Sequence, residues 1–142
     1  MKRIFLAGII QGSARDKSIH PQQYRERIKS IIAETMPEAE VYDPYDGHET
    51  SVHYDTEKGE SVFRASLEKI GECDLMIAFI PVASMGTAIE MWECRGMGIP
   101  IWSITEMQDN WVVRFCSEMI FSDIESLADY LGKSLASASK EG

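Results

Sequence analysis

A glutamate set four residues after a glycine, in Gly86-Thr87-Ala88-Ile89-Glu90, has the type and spacing of a nucleophile. It follows a turn, Pro81 to Met85, that separates an apolar run from a helical one. A carboxylate in the first turn of a helix is held ionised by the helix dipole, which suits nucleophilic attack better than proton donation. The same residues also spell a capping box, in which Glu90 would merely return to the Thr87 backbone N–H. The pattern alone leaves both readings standing.

A second candidate segment is Gly8-Ile9-Ile10-Gln11-Gly12-Ser13, where two glycines and a serine follow an apolar run. Glycines let backbone N–H groups approach an anion closely, although the segment is neither a Walker loop nor a full GxGxxG. It reads equally as a turn that needs a positive φ at Gly12. Asp74 opens another apolar run, a position normally at the amino end of a sheet and away from a ligand. Asp43 ends a short strand, where an Asp-Pro turn explains it as well as any chemistry. Trp111, with Asn110 and Arg114, could line a base or phosphate site or a subunit contact. His20, His48 and His53 lack the carboxylate or cysteine pattern of a metal site, so neither metal nor cofactor is expected. Ser84 and Thr87 have no nearby histidine in the motif, which argues against a serine hydrolase.

The elements that must position these residues are legible. Residues 3–10 and 74–80 are continuous apolar runs, as expected of central parallel strands covered on both faces. Tyr24, Ile28, Ile31, Ile32 and Met36 recur at helical spacing over 22–36, and Pro37 stops that helix. A short strand at 40–43 and a polar segment at 44–58 follow, the latter long for a compact domain and so functional or mobile. Further helices are expected at 60–71, 86–97, 109–116 and from Ser122 or Asp123 to Leu135, with strands at 99–104 and 118–121. This alternation predicts a doubly wound α/β fold, a flavodoxin-like five-stranded parallel sheet of order 2-1-3-4-5. Ligands of such sheets sit at the carboxyl ends of the strands, where the order reverses between strands one and three. The residues after Ile10 and Ile80 therefore border the site.

Composition bounds the rest. One domain is expected over residues 1–136, with a frayed polar tail at 137–142. Three cysteines without CxxC spacing argue against disulfides or zinc. With 23 acidic and 14 basic residues the formal charge is −9, which disfavours a nucleic acid polymer as partner. The apolar run at Ile4–Ile10 is too short for a membrane span and lacks a signal cleavage site, so no membrane partner and a cytoplasmic location are expected.

The segments FLAGIIQGS, ECDLMIAFIPVASMGTAIEMWECRGMGIPIWSI and FSDIESLADYL together resemble the nucleoside 2-deoxyribosyltransferase family, which includes hydrolases of nucleoside 5′-monophosphates. The resemblance covers about residues 3–131 and rests on Ala7-Gly8, Cys73-Asp74 and Gly86-x-x-x-Glu90 in order. It implies a flavodoxin-like enzyme that cleaves an N-glycosidic bond, with Glu90 attacking the anomeric carbon and Asp74 assisting departure of the base. It implies substrate binding by Gly8, Ile10, Gln11, Gly12, Ser13, Ser84 and Gly86, with Asn110 and Arg114 reaching a neighbouring subunit of a homodimer or larger assembly. Transferases of this family that act on free nucleosides carry an aspartate where this chain has Ser84, which resembles the monophosphate branch. Gln11 departs from that branch, which often has a basic residue there; Arg15 or Arg114 would have to compensate. Hydrolysis, base transfer, and a non-catalytic nucleotide-binding or sensor module on the same fold remain open, as does a pure assembly role for the Trp111 face.

Overall fold

The computed structural model describes residues 2–141, with side chains through residue 137. Five parallel strands, β1 (Arg3–Gly8), β2 (Glu40–Tyr42), β3 (Leu75–Phe79), β4 (Ile101–Ile104) and β5 (Met119–Phe121), form one sheet in the order β2-β1-β3-β4-β5. Five α-helices alternate with them: α1 (Gln23–Thr35), α2 (Thr56–Ile70), α3 (Met85–Gly96), α4 (Trp111–Cys116) and α5 (Ile124–Glu141). The expected fold is the one observed.

The two-residue period of a strand explains how β1 can be apolar throughout. Ile4 and Leu6 face one layer, packed with Ile28 and Ile32 of α1 and Leu127 and Leu131 of α5. Phe5 and Ala7 face the other, with Ile70 of α2 and Met91 and Cys94 of α3. Both clusters are buried, so β1 and β3 lie between two cores and carry no polar face. Cys73, Cys94 and Cys116 are free and buried in the second cluster.

Several boundaries differ from the sequence-based expectation. β1 ends at Gly8 and β3 at Phe79, so the loops bearing candidate residues start earlier. Asp55 caps α2, accepting from Lys58 N at 2.8 Å, so that helix begins four residues before Glu60. α5 runs beyond Leu135 to Glu141, continuing into the tail read as frayed; Gly142 lies outside the described residues. Among the described residues no helix is long and apolar enough to cross a membrane.

Candidate active site

The carboxyl ends of β1 and β3 open into a cavity of about 410 Å³, at the reversal of strand order. Three segments wall it: the loop after β1, the start of α3, and the chain from Pro44 through α2. Gly12 turns the first of these with φ +59°, and a β-carbon there would lie 2.6 Å from Ile9 Cδ1. Gly12 also lines the cavity, so the turn and the binding loop are one feature.

Ser84 caps α3, its Oγ accepting from Thr87 N at 3.4 Å and pairing with Thr87 Oγ1 at 2.8 Å. That shifts the cap three residues before the Thr87 box. Glu90 is therefore in the second turn, not the first, and no capping box engages it. Its side chain lines the cavity while the residue is only 6% exposed. Burial pushes its carboxyl up to about 8; Arg25 opposes the rise and Asp43 adds to it. The expectation that the helix dipole holds Glu90 ionised is thus corrected: at the second turn the dipole is weak and desolvation prevails.

Behind Glu90 lies a buried ionic cluster. Arg25, 2% exposed, donates to Asp43 Oδ1 at 2.7 Å, to Gly8 O at 3.1 Å and to Gln22 Oε1 at 2.7 Å. Lys29 Nζ sits 3.0 Å from both Asp43 Oδ2 and Asp46 Oδ2. Asp43 also accepts from Tyr45 N at 2.9 Å, so it both turns the chain after β2 and holds the arginine. Tyr24 closes the cluster, donating from Oη to Ile9 O at 2.8 Å and stacking on Phe79. The guanidinium thus ties α1, the end of β1 and the loop after β2 together directly beneath the cavity.

Of the residues singled out from sequence, Gly8, Ile10, Gln11, Gly12, Ser84, Gly86 and Glu90 line this one cavity. Four do not. Asp74 lies at the opposite end of the sheet, exposed, accepting from Arg3 N at 2.8 Å, so it joins the starts of β1 and β3. Ser13 is exposed and does not line the cavity. Asn110 caps α4 through Val112 N at 3.0 Å and lines a separate apolar pocket of about 180 Å³. Arg114 is exposed and, like Arg15, contributes nothing to the cavity wall.

His48, weighed in sequence only as a metal ligand, lines the cavity, as do Ser51, Tyr54 and Ser66, which the sequence did not single out. The signal for the first three was the length of the 44–58 segment. Nothing in the pattern marked Ser66, a buried polar residue on α2. Among the described residues, Glu90 is the one carboxyl in the wall, and no cluster of three metal-binding side chains occurs.

A buried carboxyl at the switch point of a flavodoxin-like sheet, faced by hydroxyls and loop amides, defines an enzyme site for a small polar ligand. The chain belongs to the nucleoside 2-deoxyribosyltransferase family, which matches it over residues 4–130. It is an enzyme of that kind. Solved structures share the fold at low identity. A 2-deoxyribosyltransferase from Bacillus psychrosaccharolyticus has TM-score 0.66 and 18% identity, covering 94% of this chain and 95% of that one. The CMP N-glycosidase BcmB of Clostridium botulinum has TM-score 0.56 and 20% identity, covering 94% and 99%. A conserved protein from Enterococcus faecalis V583 has TM-score 0.61 and 17% identity, also covering 94% and 99%. No curated protein matches the chain.

Proposed function

We propose that this enzyme hydrolyses the N-glycosidic bond of a nucleoside 5′-monophosphate, ribo or deoxyribo, through a glycosyl-Glu90 intermediate. The observation that carries the reading is Glu90 itself, a carboxyl buried in the wall of the switch-point cavity and free of any capping role. The carboxylate attacks the anomeric carbon as the base departs, and water then releases the sugar, the double displacement of retaining glycoside cleavage. The similarity to a structure described as a CMP N-glycosidase agrees with this reading.

A 5′-phosphate fits the start of α3. Ser84 stands there rather than a carboxylate that would repel it, and the N–H groups of Met85 and Gly86 have no partner among the described residues. With no cationic side chain in the wall among the described residues, these amides and the hydroxyls of Ser84 and Thr87 carry the anion. Water reaches the cavity rim, where Gln11 and Ala14 are exposed, which favours hydrolysis over transfer to a second base. Asp74, at the far end of the sheet, has a structural role in this scheme.

The chain works as a homodimer in this reading. Met85, Ile89 and Trp92 form one stripe of α3, 83%, 47% and 56% exposed, beside Trp111 and Phe115 of α4 at 79% and 47%. Trp92 meets Phe115 edge-on at 5.9 Å, so the stripe and α4 form one apolar face next to the cavity mouth, suited to a second copy. Free-base release from a panel of nucleosides and 5′-monophosphates, with and without a second base as acceptor, tests the substrate and the outcome together. Monophosphates should be preferred and product should be sugar phosphate. Base exchange on free deoxynucleosides would instead establish the transferase.

A further inference from the structure

Retaining cleavage of a glycoside needs a proton-transfer group as well as a nucleophile. In this cavity Glu90 is the one carboxylate of the wall among the described residues, so no second carboxylate is at hand. His48 lines the same wall. Imidazole is the side chain that exchanges protons most readily near neutral pH.

His48 is also built into place. The loop that carries it is anchored by Tyr45 N on Asp43 and by Lys29 on Asp46, and His48 N donates to Tyr45 O at 3.0 Å. Its Nδ1 pairs with Tyr54 Oη at 2.8 Å, with the rings edge-to-face at 5.8 Å. Lys58 Nζ lies 4.1 Å from the Tyr54 ring centroid and holds that ring in turn. With Nδ1 occupied, Nε2 is the nitrogen left for a ligand.

We propose that His48 is a catalytic residue of this site, its Nε2 giving a proton to the departing base and then taking one from the attacking water. The inference rests on the N-glycosidase reading above. As the C1′–N bond breaks, its electron pair passes to the base, which gains the Nε2 proton; a Glu90 oxygen meanwhile bonds to C1′. In the second half, water bonds to C1′, the Glu90–C1′ bond breaks with its pair returning to the carboxylate, and the neutral imidazole takes the water's proton. Over the cycle one water is consumed and both residues return to their starting state. Burial favours the protonated form of Glu90 in the empty site, and the nucleophile attacks in its ionised form. The groups facing Glu90 are Arg25 and Tyr24 of α1 and Asp43 after β2, and those beside His48 are Tyr54 and Lys58.

The test compares wild type, His48→Gln and Tyr54→Phe on two substrate types, after thermal melts confirm folding. One type is the ordinary nucleoside 5′-monophosphate, whose base leaves best when protonated. The other is a pyridinium glycoside 5′-monophosphate, whose leaving group departs neutral and needs no proton. His48→Gln should slow the first by about 100-fold or more and the second by no more than about threefold. Tyr54→Phe should show the same selectivity with a smaller loss. In both proteins kcat/KM should rise with pH as Glu90 ionises towards about pH 8, and only the wild type should show an alkaline limb on the ordinary substrate. Equal losses on both substrates, no loss on either, or an unchanged alkaline limb would overturn the assignment. Activity in wild type with an unaffected His48→Gln overturns His48 alone; wild type inactive on every glycoside overturns the N-glycosidase reading and this inference with it.

Discussion

The chemistry of the site turns on where Glu90 sits relative to its helix start. The Thr87-x-x-Glu90 pattern was visible in sequence, but the cap is Ser84, three residues earlier, because its Oγ reaches Thr87 N. That moves Glu90 inward and leaves its carboxyl buried with a pKa of about 8. The unfolded value is near 4.5, so the native state favours the protonated acid. Its contribution is fully present below pH 4.5 and is lost as pH rises towards 8, since the unfolded chain ionises first. Glu90→Gln should therefore stabilise the protein above pH 5, by a few kcal/mol, or roughly 5–10 °C in melting temperature, at pH 8. At pH 4.5 the two proteins should melt together; equal melting at pH 8 would show that the buried carboxyl costs nothing. Arg25 calls for the opposite result. Arg25→Met leaves buried Asp43 with Lys29 as its remaining cation and should cost about 3 kcal/mol, read from urea unfolding. Asp74→Asn should keep activity and cost only about 1 kcal/mol, since its link is one strand-edge hydrogen bond.

Among the elements, those with a continuous apolar pattern were legible and those with polar edges were not. β1, β3 and α1 follow from burial on both faces or on one stripe, which the residue pattern records directly. The start of α2 was hidden because its first turn, Thr56-Glu57-Lys58-Gly59, is solvated and has no apolar period. Asp55 was the available signal, a cap residue before a charged turn. Missing that turn concealed Tyr54 and the place of His48 beside it, which depend on tertiary contacts no local pattern encodes. The end of β1 depends on a close approach instead. A β-carbon on Gly8 would lie 2.4 Å from Tyr24 Oη, whose hydroxyl holds the Ile9 carbonyl. Gly8→Ala should thus displace Tyr24 and cost about 1–3 kcal/mol, with a matching loss of activity as the loop shifts. A melting temperature within error of wild type would mean that the loop yields freely.

For the whole molecule, the strand order and the place of the cavity followed from alternation and the switch-point rule, without any single motif. The apolar face of α3 and α4 was only partly legible. Trp111 stood out in sequence, whereas the pattern left Trp92 as either core or interface, because helical spacing does not say which side a neighbour covers. That face leads to a further expectation: the wild type sediments as a dimer at micromolar concentration, and Trp92→Ser with Trp111→Ser gives a folded monomer. A monomeric wild type would leave the face without its proposed partner.

The most direct test of the account is intact and peptide mass spectrometry after incubation with a 2′-fluoro-substituted nucleoside 5′-monophosphate. The fluorine slows breakdown of a glycosyl-enzyme by destabilising its oxocarbenium-like transition state. The account predicts a mass increase equal to one fluorinated sugar phosphate, localised to the peptide containing Glu90 and absent from Glu90→Ala. Base release without any adduct, or an adduct on another residue, would contradict it.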